Sequence, residues 1–120
     1  MKHTNTKPES WLPLKTNVLF ILLALAEGQK HGYAIMQETH KTSDGLVRMG
    51  PGTLYGTLQR LIEQGLIEET AKPSVVDQDD ERRRYYRLTS VGNQVITAEV
   101  TRLEQLVKTA RTRSFIPKLS

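Results

Sequence analysis

The chain has 120 residues, of which 38% are hydrophobic and 25% charged, values that fit one folded domain with a modest core and exclude wholesale disorder. Lys and Arg number 17 against 13 Asp and Glu, and the resulting charge of +4 favours an anionic partner. Cysteine is absent, so disulfides, thiol nucleophiles and thiolate metal sites are excluded together, and a reducing, cytoplasmic setting is expected.

Residues 1–13, MKHTNTKPESWLP, are polar, contain Pro8 and Pro13 and show no helical period; they read as a flexible N-terminal arm. Trp11 stands out there, either packing back on the domain as an anchor or lining a ligand pocket. A first helix is expected over 14–27, ended by Gly28, which suits the left-handed conformation that follows many helices. Its apolar run VLFILLALA cannot cross a bilayer, which needs about 20 residues, and no cleavage pattern follows it. It is therefore a core helix. Residues 29–32 turn the chain into a second helix over 33–42, with Ile35 and Met36 inward and Gln37, Glu38 and His40 outward. Ser43-Asp44-Gly45 has the chemistry of a loop.

The third helix opens with Gly50 as a weak cap and Pro51 at its first position. Leu54, Leu58, Leu61 and Ile62 fall at i, i+4, i+7 and i+8, a stripe that packs on the preceding helices, and Gly65 ends the helix. Thr53, Tyr55, Thr57, Gln59 and Arg60 are left on or near the opposite side, where an ordinary surface helix would carry interchangeable Lys and Glu. Gly56, in mid-helix, costs about 1 kcal/mol relative to Ala. Close approach of DNA would account for that, and close packing of a neighbouring helix more readily so.

Beyond Gly65 the period becomes strand-like: 66–70 (LIEET) and 83–88 (RRYYRL) form a hairpin whose long tip holds Pro73, Asp77, Asp79, Asp80 and Glu81. Ser90 caps a final helix over 91–113, roughly 33 Å long. Ile96, Leu103 and Ala110 repeat every seven residues, and Val100, Leu106 and Val107 widen the apolar side. Such a helix overhangs so small a domain, so its stripe is expected to bury against a second copy in a symmetric dimer. Glu99 interrupts the stripe and argues against a pure leucine zipper. The chain thus divides into an arm (1–13), a domain of three helices and a hairpin (14–89), a dimerisation helix (90–113) and a tail (114–120).

Three short helices, a hairpin and a long helix make a mainly α fold with a small β-hairpin: a winged helix-turn-helix, with the third helix in the recognition position. Arg suits guanine and Gln adenine in a major groove, while Tyr and Thr hydroxyls suit phosphates. The strings KTNVLFILLALAEGQKHGYAIMQE, GPGTLYGTLQRLIEQGLIEE and RRRYYRLTSVGNQ resemble the PadR family of bacterial transcriptional regulators over nearly all of 15–113. Its most telling pieces are His31-Gly32-Tyr33, Gly52-Thr53-Leu54-Tyr55, residues 61–66 and Tyr85-Tyr86-Arg87-Leu88-Thr89. A single helix after the wing is similar to the short branch of that family.

The resemblance implies a homodimer that represses promoters by binding double-stranded DNA at a roughly palindromic operator, often released by small aromatic or drug-like effectors. Carried over residue by residue, Tyr33, Thr53, Tyr55 and Arg60 match positions expected to touch DNA; Thr57 and Gln59 are added from the helix face. The acidic tip departs from the shorter, more basic wing of the family, so wing contact is assigned to Arg82, Arg83 and Arg84 at its base. Strand alternation sends Arg82 and Arg84 to one side and Arg83 to the other. The triplet could instead neutralise the carboxylates beside it. An effector pocket in the dimer would be edged by Trp11, Phe20, Leu103 and Leu106. The alternative is a winged-helix protein-interaction adaptor without DNA binding, favoured by the acidic tip and modest charge. No cofactor, metal, membrane or catalysis is expected: His31 and His40, even with Asp44, do not stand at a telling ligand spacing, residues 50–52 lack the Lys-Ser/Thr of a phosphate loop, and no nucleophile stands with a base.

Overall fold

In the computed structural model, which describes residues 7–70 and 84–113, helix α1 (Thr16–Ala26) lies at the centre and buries Ile21, Leu22, Ala24 and Leu25. It starts two residues later than its hydropathy predicts. Lys15 is extended, and the Leu14 N–H is donated across the fold to Glu99 Oε2 at 2.9 Å instead of entering a helical turn. Residues 30 and 31, expected to be part of a turn, form a short strand β1 (Lys30–His31); two residues are too few to show a period. Helix α2 (Gly32–Thr42) follows at once, capped by His31, whose Nδ1 accepts the Ala34 N–H at 3.1 Å.

Ser43 Oγ accepts the Val47 N–H at 2.9 Å and shapes the loop that dips Val47 and Met49 into the core. Helix α3 (Pro51–Glu63) then buries Leu54, Leu58 and Leu61, as the stripe predicts. Gly65, at φ 80°, turns the chain into strand β2 (Ile67–Thr70), which pairs antiparallel with β3 (Tyr85–Leu88) in the register Ile67↔Leu88 and Thr70↔Tyr85. On its other edge β3 pairs with β1, giving the order β1-β3-β2. The expected hairpin is thus part of a three-stranded sheet, and β1 ties the entrance of α2 to it.

Helix α4 (Ser90–Thr112) is capped by Thr89 and not, as predicted, by Ser90. Thr89 Oγ1 accepts the Gly92 N–H at 3.0 Å and donates to the Gly65 carbonyl at 2.6 Å, so one hydroxyl joins the end of α3 to the start of α4. The first part of α4 buries Gly92, Val95, Ile96 and Glu99.

The described part of the N-terminal arm has local structure, which the absence of a helical period did not suggest. Pro8–Trp11 forms a 3-10 turn against α4, while Trp11, Leu12 and Leu14 pack on the core, as the anchor reading of Trp11 expects. Apolar side chains there outweigh the lack of any period. The acidic tip, the first six residues and the tail 114–120 lie outside the described residues.

Candidate nucleic-acid interface

One side of α3 supplies the core; the other carries exposed Thr53, Tyr55, Gln59 and Arg60. Tyr55 lies over the start of α2. A Cβ on Gly32 would stand 2.7 Å from its Cε1 and Cζ and closer still to its hydroxyl, so the absence of a side chain at Gly32 lets the ring settle there. Tyr33, next along the chain, is 50% exposed, and Tyr55 46%. The Tyr33 ring is nearly parallel to that of His31, with centroids 6.4 Å apart, and His31 meets Tyr85 edge-on at 5.5 Å. The HGY motif therefore forms a packed junction between α2, α3 and the sheet. Tyr86, buried in that sheet, has its hydroxyl pKa raised by burial first and then by nearby Glu69 and Tyr55, with Arg84 opposing. It stays a neutral phenol.

Thr57 is not on the outer side. It is 1% exposed, its Oγ1 donates to the Thr53 carbonyl at 2.8 Å and accepts an Arg60 Nη2–H at 3.2 Å. The physical reason is helical: three residues after Leu54 and four before Leu61, Thr57 sits at the edge of the buried stripe, and the i−4 carbonyl satisfies its hydroxyl. Its hydroxyl is hydrogen-bonded to Arg60 beneath the outer side of the helix.

Among the described residues no neighbouring helix packs on Gly56, contrary to expectation: apart from the helix's own backbone, a Cβ there would meet Arg60 Nη1, at 3.9 Å. Arg84 is exposed at the start of the wing, 3.7 Å from Glu69, and Arg87 forms a 2.9 Å pair with Glu68 across the strands. Arg82 and Arg83 lie outside the described residues. Arg48 was missed by the sequence reading. It is exposed in the turn before α3, where it borders a hollow of about 460 Å³ with Tyr33, Gln37 and Gly50. The usable signal was its place, a cation two residues before the cap of α3.

Elsewhere the predicted residues divide. Ile96, assigned to the dimer stripe, is 3% exposed within the chain's own core, because the first half of α4 is covered by the domain. Val100, Leu106 and Val107 are exposed, and Leu103 and Ala110 are half-buried. Of the four effector-pocket residues, Trp11 borders a hollow among the described residues, a space of about 310 Å³ shared with Val18, Thr57, Arg60, Leu61 and Leu66, a lining that includes none of Phe20, Leu103 and Leu106.

A helix-turn-helix formed by α2 and α3, a β2–β3 wing and a long following helix define a winged helix-turn-helix protein. Residues 21–98 match the family described as the transcriptional regulator PadR-like family. The chain belongs to that family of transcriptional regulators, as the HGY, GTLY and YYRLT motifs imply. Transcriptional regulator Rv3488 of Mycobacterium tuberculosis is 37% identical over 90 residues, covering 75% of this chain and 78% of that protein. An uncharacterized 37.1 kDa protein in a transposon of Streptomyces fradiae is 33% identical over 88 residues, 73% of this chain, which span only 23% of its own length. The fold is shared with a PadR family transcription regulator from Clostridium difficile R20291, at 20% identity and a TM-score of 0.66 over 82% of this chain and 97% of that one. Among the described residues no helix is long and apolar enough to cross a membrane.

Proposed function

We propose that this regulator binds double-stranded DNA as a homodimer and represses transcription from a roughly palindromic operator, with the outer side of α3 in the major groove. The observation that carries this reading is the grouping of Thr53, Tyr55, Gln59 and Arg60 on one exposed helix side, beside Tyr33 and Arg48. Arg60 and Gln59 are the base-reading groups, and the Tyr hydroxyls, Thr53 and Arg48 suit phosphates. Arg84 joins them at the wing by exchanging the exposed Glu69 for a phosphate; such a surface pair is worth about 0–1 kcal/mol and is given up at little cost.

The second copy is supported by α4. The helix face that buries Val95, Ile96 and Glu99 within the chain continues outward as Leu103, Leu106, Val107 and Ala110, where no element of the described residues covers it fully. Two copies joined along this face carry two α3 helices, and a two-fold protein suits half-sites about 34 Å apart.

The test is a gel-shift titration of the full chain at two salt concentrations, on DNA upstream of its own gene and on a pool of random duplexes. A specific complex that weakens steeply with salt, and a loss of sequence preference in Arg60→Ala, are the expected results. A chain that enriches no duplex would instead be the protein-interaction adaptor.

A further inference from the structure

Gly56 stands two residues from both Leu54 and Leu58, about half a helical turn from each, and so lies on the side of α3 away from the buried stripe, half-buried among longer, exposed side chains. A glycine at mid-helix weakens the helix relative to any other residue but proline. Nothing among the described residues asks for it. Its φ is not positive, and a Cβ there would meet a single atom at ordinary contact distance, Arg60 Nη1 at 3.9 Å. The side chains one turn away on either side are Thr53 at i−3, Gln59 at i+3 and Arg60 at i+4. Gly56 is therefore bare backbone in the middle of the hydrogen-bonding groups.

We infer that Gly56 is the point of closest approach between α3 and the DNA, and that its missing side chain sets how deep the helix sits in the groove. The inference rests on the DNA-binding reading above. A methyl group at this position stands off the helix by one carbon–carbon bond, about 1.5 Å. Lifting the helix by that amount stretches a hydrogen bond of about 2.9 Å beyond the range in which one exists. Thr53, Gln59 and Arg60 would all lose reach together, although none of them had been altered. Gly56 is thus a positioning residue: it fixes the depth at which its neighbours read.

The experiment compares the full-length wild type with Gly56→Ala and Gly56→Val, by fluorescence anisotropy on the duplex that the wild type selects from the random pool and by thermal unfolding. Alanine is the best helix former, so Gly56→Ala is expected to melt a few degrees higher while binding at least tenfold more weakly. Valine is bulkier but a poorer helix former than alanine, so Gly56→Val is expected to melt no lower than the wild type and bind more weakly still. Affinity falling with side-chain volume as stability holds or rises is a signature that a structural role would not give. The inference is overturned if Gly56→Ala binds as tightly as the wild type, or if its melting temperature falls along with its affinity. A wild-type chain that selects no duplex overturns the DNA-binding reading itself, a result distinct from both.

Discussion

Gly92 and Gly32 both lie in the family-like strings, but the reason that each lacks a side chain is tertiary. A Cβ on Gly92 would overlap the carbonyl oxygen of Leu66 and stand 2.9 Å from its carbon, and backbone atoms cannot swing aside. The three atoms nearest a Cβ on Gly32 would all belong to the ring and hydroxyl of Tyr55, a side chain that is nearly half exposed and can give way more easily than backbone. Gly92→Ala is accordingly expected to destabilise the chain by about 2 kcal/mol or more, as overpacking does, and Gly32→Ala by less than about 1 kcal/mol. Urea unfolding of the two variants measures the difference, and equal losses would refute this account of the packing. Thr57 was legible with more care: a position three after one stripe leucine and four before another belongs to the buried side. Arg60 was legible as an exposed cation on α3, whereas its hydrogen bond to Thr57 depends on side-chain conformation that the sequence does not print.

At the scale of elements, Glu99 shows how one residue can tie an irregular segment to a helix. In the sequence it is a break in an apolar repeat. In the fold its carboxylate is 1% exposed, accepts two hydrogen bonds from Arg102 at 2.6 and 3.0 Å, and accepts the Leu14 N–H. A buried charge is tolerated only when it is paired and hydrogen-bonded, and here the partners come from α4 itself and from the strap that leads into α1. The hydrogen bonds from Arg102 hold the Glu99 carboxyl below the usual glutamate range, with the Leu14 N–H assisting and burial opposing. Because the folded pKa is lowered, this contribution to stability is present above the ordinary glutamate value of about 4.3 and is lost as pH falls through the folded value. Glu99→Gln is expected to remove that part of the acid-side decline, leaving a flatter plot of urea midpoint against pH below about 5. A variant with the same acid slope as the wild type would show that other carboxylates set it.

For the whole molecule, the decisive feature is that α4 is longer than the domain that covers it. The proposed dimer places Leu103, Leu106, Val107 and Ala110 at the join, and Leu106 is the most exposed of them, at 55%. A carboxylate there would be desolvated on association but would remain in water in the free chain. Leu106→Glu is expected to sediment as a folded monomer, with an unchanged far-ultraviolet spectrum and a loss of operator affinity of at least tenfold, since only one half-site is then held. A variant that sediments with the wild type would place the interface elsewhere.

The sequence by itself determined the order of elements, the α3 stripe, the wing strands and the family, because each is written in local periodicity and short motifs. It could not reveal β1, whose two residues become a strand only through pairing with Tyr85 and Tyr86. Nor could it separate Ile96 from Leu103 along one apolar face, since the same period continues past the point where the domain ends. Tertiary structure decided which groups lie exposed together around Gly56 and which are sealed beneath the helix. Burial depends on what arrives from distant parts of the chain, and a local pattern records only the side on which it can arrive.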